Sequence, residues 1–402
     1  MPKNIVICCD GNYEGAPGGS NVFKLYQTLA QDLDTQVAYF HPGMDDTKKT
    51  EVPAALSEAA DLASVATGFI APKLILDILK PITHPISKFF QGRWNRLVAL
   101  LFGSDLATSV EDAYAYLMEA YEHDDAVFIF GFGRGAYTAR ALAAALHVYG
   151  LLWPGNEPMR KRLFRMWRKG TAAPDAFAIA AAFKASFGRG CNLRFLGVWD
   201  TVASFGWLYN PIKVPYTATN PDVKVVRHAV SIDERRAFFR HNLWGNPGPG
   251  QDVKQVWFAG VHADIGGGYA EAESGLSKIT LEGMLNEAIS AGLHVTTARK
   301  DLLLGAADPN FGRPDPLAVM HRSLSGLWWL NELWPTRYWT GTSDPAGYKW
   351  TLPLGRSRHI PPSSLVHDSV IARMRSLSPY RPANLPQDYD LLSTHRDANA
   401  RF

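Results

Sequence analysis

At 402 residues, with 47% hydrophobic side chains and a formal net charge of +3, the chain can bury one large core, alone or with a helical accessory region. That charge is too mild to point to nucleic acid, and no arginine-rich arm or aromatic-basic RNA motif accompanies it, so the expected partner is small or lipidic. The three cysteines, Cys8, Cys9 and Cys191, lack metal-ligand spacing and do not suggest a disulfide framework, which suits a reducing compartment.

The first apolar run, Asn4–Cys9, ends at Asp10-Gly11-Asn12. It is too short and too quickly polar for a secretory signal and predicts a buried first strand. A second strand is expected at Val37–Phe40, before Pro42-Gly43. Residues 51–103 are mostly of helical pattern and form a first candidate accessory or lid insertion. Their most hydrophobic stretch is interrupted by Glu58, Asp61, Lys73, Asp77, Lys80 and prolines, so it falls short of the ~20 apolar residues a membrane span requires. With neither a signal nor a span, a cytoplasmic location is expected, with non-classical secretion left open.

Val127–Phe130 runs into Gly131-x-Gly133-x-Gly135 and then an alanine-rich helix, Ala136 to Leu146. This is the strand, sharp turn and helix in which a G-x-S-x-G motif exposes a reactive hydroxyl, and Gly133 stands where that serine would be. Met159–Lys169 is basic with interleaved apolar residues; it suits a membrane-surface helix or a solvated surface helix with ordinary core contacts. Further strands are expected at Leu193–Trp199, before Asp200-Thr201, and at Val256–Ala259, before His262, Asp264 and a run of glycines. Continuous rather than alternating apolarity predicts strands buried on both faces of an open, helix-covered parallel sheet. Functional groups collect at the carboxyl ends of such strands, where Asp10, Gly133, Asp200 and His262 all fall. Residues 300–360, rich in tryptophan, form the second candidate lid. Within them Leu327, Trp328, Leu330, Leu333 and Trp334 make an apolar stripe at helical spacing, which would cover the site, meet lipid, or simply pack on the sheet.

Acyl transfer needs a nucleophile, a base, a carboxylate that orients the base and N–H donors for the oxyanion. His262 is the candidate base and Asp200 its orienting acid. Arg134 N–H and a donor from the Gly11–Asn12 turn are the candidate oxyanion hole. The chain order of turn, acid and histidine is the hydrolase order. Each piece has a plain alternative: His262 as a turn cap, Asp200 as a helix cap, Asp10 bonded only to its own turn. Two rival sites also stay open. Gly131-x-Gly133-x-x-Ala136 meets a dinucleotide fingerprint, and Asp10, Asp200, His262 and Asp264 could hold a divalent cation.

Several segments together resemble one family: CDGN at 9–12 with SNV at 20–22, FGFGRGAYTAR at 130–140, GVWDTVASFG at 197–206, RHAVSIDERRAFF at 227–239, VWFAGVHADIGGGY at 256–269, GLWWLNELWP at 326–335, and HDSV and YRPANLP at 367–370 and 380–386. The chain is similar to the uncharacterised α/β-hydrolase family that includes the phospholipase effectors of bacterial type VI secretion. The resemblance implies one α/β-hydrolase-like domain over residues 1–402, an esterase or phospholipase acting on a small or lipid ester, and no cofactor or metal. It maps the family serine onto Gly133, the histidine onto His262 and the acid onto Asp200. The family turn FGFSRGA is here FGFGRGA, and Asp-Gly-Thr is Asp10-Gly11-Asn12. Covalent catalysis through a serine at this turn is thus excluded, leaving an inactive or water-activated hydrolase, or a catalytically silent acyl- or lipid-binding protein.

Overall fold

The structure is a computed structural model that describes residues 2–11, 18–43, 104–169, 175–202, 206–207, 210–211, 214–326, 328–333, 335–339 and 348–393. The candidate insertion at 51–103, Asn12, Leu327 and Trp334 lie outside the described residues. Eight strands form one sheet: β1 Asn4–Cys9, β2 Gln36–His41, β3 Ala126–Phe132, β4 Asn192–Trp199, β5 Val225–Ser231, β6 Asp252–Phe258, β7 Ser364–His367 and β8 Tyr389–Leu392. Their order is β2-β1-β3-β4-β5-β6-β7-β8, and every neighbouring pair is parallel. The chain therefore moves outward from β1 to one edge, returns to β3, and winds steadily to the other edge. The reversal places a crevice above β1 and β3, the position at which open α/β sheets bind ligands.

The β1 sequence shows why the sheet is buried on both sides. Ile5, Ile7 and Cys9 point into one core with Tyr114 and Leu142, while Val6 and Cys8 point into another with Val22, Leu25 and Leu281. The two-residue period of a strand sends alternate side chains to opposite faces. Each buried aliphatic side chain contributes about 1.5–3 kcal/mol relative to exposure. The first core is roofed by α2 (Ser104–Ala120) and α3 (Arg134–Tyr149), the second by α1 (Asn21–Thr28) and by α7, Gly275–Ser290. A smaller core joins Val230, Trp257, Val366 and Val370 under β5 to β7.

Three strands carry little sequence signal. In β5, VVRHAVS, the pattern is broken by Arg227 and His228, both buried. Arg227 is tolerated there because Nε donates to Glu287 at 2.8 Å and Nη1 to two backbone carbonyls. Strands β7 and β8 are four residues each, too short for a periodic pattern.

The basic segment forms α4, Glu157–Lys169. Leu163 and Phe164 are buried in the first core, and Arg160 and Arg168 both pair with Glu111. It is thus a surface helix with core contacts. In chain order α5 is Ala176–Phe187, α6 the short His262–Gly266, α8 Thr297–Leu303, α9 Trp328–Glu332 and α10 Asp368–Ser376. Within the tryptophan stripe, α9 covers Trp328–Glu332. After five residues of α9 the chain becomes a strand, Thr336–Trp339, paired antiparallel with Tyr348–Thr351. Pro335, lacking an N–H, stands between the two. Among the described residues no helix is long and apolar enough to cross a membrane.

Candidate active site

Strand β3 ends at Phe132 and α3 begins at Arg134, so Gly133 alone makes the turn. Its φ of 58° and ψ of −114° lie where L side chains are strained, and glycine adopts them without penalty. The helix that follows lies unusually close to β1: a Cβ on Gly135 would fall 2.2 Å from Cys9 O. Two further bonds fix the turn to β4, from Gly133 N to Trp199 O at 3.0 Å and from Val202 N to Gly133 O at 3.3 Å.

Asp200 follows β4 directly and is fully buried, at a positive φ of 39°. His262 is the first residue of α6, in the turn after β6. The tertiary structure brings the two together, with His262 Nδ1 2.5 Å from Asp200 Oδ2. Since a carboxylate only accepts, Nδ1 carries the proton and Nε2 presents a lone pair. That lone pair faces Gly133: a Cβ placed there would sit 2.8 Å from Nε2 and 3.2 Å from Cε1. The imidazole is held between the rings of Phe132, stacked at 4.5 Å, and Phe239, edge-on at 4.8 Å.

Asp200 Oδ1 accepts Ser231 N–H at 3.0 Å, and Arg358 grips both oxygens, Nη1 to Oδ1 at 2.5 Å and Nη2 to Oδ2 at 3.0 Å. Burial by itself would raise the Asp200 pKa, but the Arg358 guanidinium and the His262 bond overcome it and hold the carboxyl well below the usual range. Burial lowers the His262 pKa, and the Asp200 bond only partly offsets it. The imidazole is therefore neutral at pH 7 and able to take a proton.

Asp10 braces its own turn, Oδ1 accepting Gly11 N–H at 2.7 Å and Oδ2 accepting the Ser20 hydroxyl at 2.6 Å. Ser20 also caps α1 through Phe23 N–H, which ties the CDGN and SNV motifs into one corner. The corner lies over the start of α3: a Cβ on Gly11 would be 3.4 Å from Arg134 N, and Arg134 Nη2 donates to Gly11 O at 3.3 Å. Gly11 N–H is bonded to Asp10, and Asn12, the other residue of this turn, lies outside the described residues. Asp264 faces away, accepting Val261 N–H and both the N–H and ring Nδ1 of His321. The four acidic and imidazole groups of the cation reading thus do not converge.

The sequence reading did not single out Arg358, Glu234 or Phe239. Glu234 is fully buried and accepts from the backbone N–H groups of Arg235, Arg236 and His262, from the Arg236 guanidinium and from Ser323. Burial works to raise its pKa, yet the Arg236 bond and the charges of Arg236 and Arg358 bring it down to about 2. Glu234 and Phe239 stand inside the RHAVSIDERRAFF segment, which offered a signal. Arg358 lies in a loop with no local pattern, and only its tertiary partner marks it.

A doubly wound parallel sheet with a histidine–carboxylate pair over a strand-to-helix turn defines an α/β-hydrolase-like protein. The profile described as T6SS, phospholipase effector Tle1-like, catalytic domain matches residues 3–287, and the chain belongs to that family of esterase- and phospholipase-type hydrolases. An uncharacterised protein of Saccharomyces cerevisiae is 31% identical over 249 residues, covering 59% of this chain and 32% of that protein. Among solved structures, an uncharacterised protein from Pseudomonas aeruginosa is similar over 78% of this chain and 49% of its own, at 18% identity and a TM-score of 0.40. The Tle1 effector bound to the VgrG spike of the type VI secretion system is similar over 69% and 53%, at 17% identity and 0.33. The chain spans about a third of the curated relative and about half of each solved one.

Proposed function

We propose that this protein hydrolyses lipid carboxylic esters at the Gly133 turn by activating water, with His262 as general base and Asp200 as its orienting acid. The observation that carries the proposal is the directed pair: Asp200 fixes the tautomer, and His262 Nε2 looks onto the Gly133 turn. The ester carbonyl oxygen lies toward Arg134 N–H at the start of α3, where the helix N-terminus favours negative charge. Water attacks the carbonyl carbon as Nε2 takes its proton, and the imidazolium is stabilised by anionic Asp200. The tetrahedral intermediate collapses as the ester C–O bond breaks, and the Nε2 proton passes to the leaving alkoxide. The products are a carboxylic acid and an alcohol, with no acyl-enzyme.

A second reading, a catalytically silent lipid-ester binder, follows from Gly133 itself, which offers no nucleophilic side chain at the turn. Hydrolysis of short p-nitrophenyl esters by the unaltered chain and by His262→Ala decides between them. A rate at least tenfold higher with His262 present supports the water-activated site. Equal rates leave the silent binder.

A further inference from the structure

The helix that carries His262, α6, is only five residues long. A helix of that length does not hold itself, so its placement depends on what grips its first turn. Two buried carboxylates do so: Asp264 Oδ2 accepts Val261 N–H at 3.0 Å, and Glu234 Oε2 accepts His262 N–H at 3.2 Å. Both carboxylates are clasped in turn by one stretch of chain, residues 321–323, distant from them in sequence. His321 N–H donates to Asp264 Oδ2 at 3.1 Å, its ring Nδ1 stands 2.7 Å from Asp264 Oδ1, and the Ser323 hydroxyl donates to Glu234 Oε1 at 2.8 Å.

This strap has no regular secondary structure, and such a segment is only as fixed as its tertiary bonds. Upstream it is pinned by Arg373 Nη1, which donates to Pro316 O at 2.7 Å and to Ala318 O at 2.8 Å. At His321, Nδ1 carries a proton, since the Asp264 carboxylate only accepts. Nε2 lies 3.3 Å from Glu273 Oε2, and the Tyr269 ring stacks on the imidazole, with 3.4 Å between centroids and 13° between planes. Tyr269 O in turn packs so closely on Gly18 that a Cβ there would fall 1.8 Å away. His321 thus bears on α6 through Asp264 and, through Tyr269, on the chain that leads into Ser20 of the Asp10 corner.

Burial makes the Asp264 bond consequential. It raises the Asp264 pKa, and the His321 bond is the largest influence that opposes it. Without that bond Oδ1 is left in the interior with no donor among the described residues, a state that a buried charge does not keep. The carboxyl then protonates or turns, and Val261 N–H loses its acceptor.

We propose that His321 is a positioning residue for the His262 base: through Asp264 it fixes the start of α6 and with it the direction of His262 Nε2. The word base rests on the ester reading above, while the clasp on His262 does not. A displacement of about 1 Å at a reacting group costs on the order of 10²-fold in rate, so a bond one helical turn from the imidazole reaches the chemistry.

The clasp is tested first without turnover, by NMR of the full chain labelled at histidine. The His262 Nδ1 proton, short-bonded to Asp200, gives a far-downfield resonance that is assigned by its loss in His262→Gln. Two variants are compared: His321→Leu, which removes the ring donor, and His321→Asn, whose amide N–H replaces Nδ1 alone. His321→Leu is expected to speed solvent exchange of that proton by about tenfold or more, the equivalent of one charged hydrogen bond, and His321→Asn to restore most of the protection. An unchanged exchange rate in folded His321→Leu overturns the proposal. So does equal loss of protection in both variants, or a rise no larger than the global destabilisation read from denaturant unfolding accounts for. The second measurement is hydrolysis of p-nitrophenyl esters, in which His321→Leu is expected to lower kcat by about tenfold or more with KM little changed, and His321→Asn to recover it. Hydrolysis with an unaltered kcat in His321→Leu overturns the positioning role. If the unaltered chain hydrolyses no ester while exchange behaves as expected, the ester reading fails and the clasp on His262 stands.

Discussion

The two walls around His262 are built on opposite principles. The wall toward β1 and β3 is made of backbone: the Gly133 turn, the start of α3, and the Asp10 corner held by short-range bonds. The wall toward 234–241 and 355–358 is made of side-chain charge, with Arg358 on Asp200 and Arg236 on Glu234. Backbone geometry survives most substitutions around it, whereas a buried ion pair fails when either partner is removed. The Gly133 side of this site is thus set by chain direction and the Asp200 side by long-range electrostatics.

Gly133→Ser is the severest trial of the backbone wall. If that wall is intact, the substitution is expected to raise kcat/KM on p-nitrophenyl esters by about 10³-fold or more, since a triad serine contributes orders of magnitude, and to confer labelling by an organophosphate. The same variant is expected to lose about 1–3 kcal/mol of stability, because serine must adopt the positive φ at this position. Denaturant unfolding reads the second effect. A folded Gly133→Ser chain that neither labels nor gains activity would show that the backbone wall does not support covalent catalysis.

Arg358→Met tests the charged wall. Asp200 is left buried without its guanidinium, and the expected loss is about 3–5 kcal/mol, the range for removing one partner of a buried pair. The pH dependence sharpens the result. Asp200 has a folded pKa below its ordinary 3.8, so its stabilising contribution is full above that value and fades as pH falls through and below it. Arg358→Met is expected to diminish this contribution, so that acid unfolding begins at higher pH than in the unaltered chain. Identical acid-unfolding midpoints would show that Arg358 carries no such role.

A smaller effect is expected from titration of the base. Burial puts the His262 pKa below 6.5, so hydrolysis should rise with pH through a midpoint below 6.5 and then level off. A midpoint above 7 would mean that another group limits the rate. Smallest of all, Trp329→Ser should change stability by less than about 0.5 kcal/mol, as surface substitutions do. Anionic vesicles are expected to shift the tryptophan emission of the unaltered chain to the blue and that of Trp329→Ser by less, since Trp329 is exposed; an equal shift in both, or none in either, would remove this residue from lipid contact.

Much of the scaffold was legible because it is written in local pattern. The apolar runs of β1, β3 and β4 have both faces buried, so hydrophobicity alone marks them, and glycines announce their ends. Strand β5 was illegible because Arg227 satisfies its charge through Glu287 and strand carbonyls, contacts distant in sequence. In the tryptophan segment the helical spacing marks α9, Trp328–Glu332, while the strand Thr336–Trp339 beyond Pro335 is set by its antiparallel pairing with Tyr348–Thr351, which no local pattern shows.

The sequence by itself determined the sheet's inner strands, the glycine turn without a hydroxyl, and the placement of Asp10, Gly133, Asp200 and His262 at strand ends. Those features depend on residues within a turn or a strand of one another, where sterics and solvation act on neighbours. Only the tertiary structure decided that His262 Nδ1 meets Asp200, that Gly11 N–H is committed to Asp10, and that Arg358 closes on the acid from a loop near the far end of the sheet. Burial makes each of those polar contacts obligatory, since an unpaired charge in the interior is too unfavourable to remain, but which partner arrives is set by the path of the folded chain.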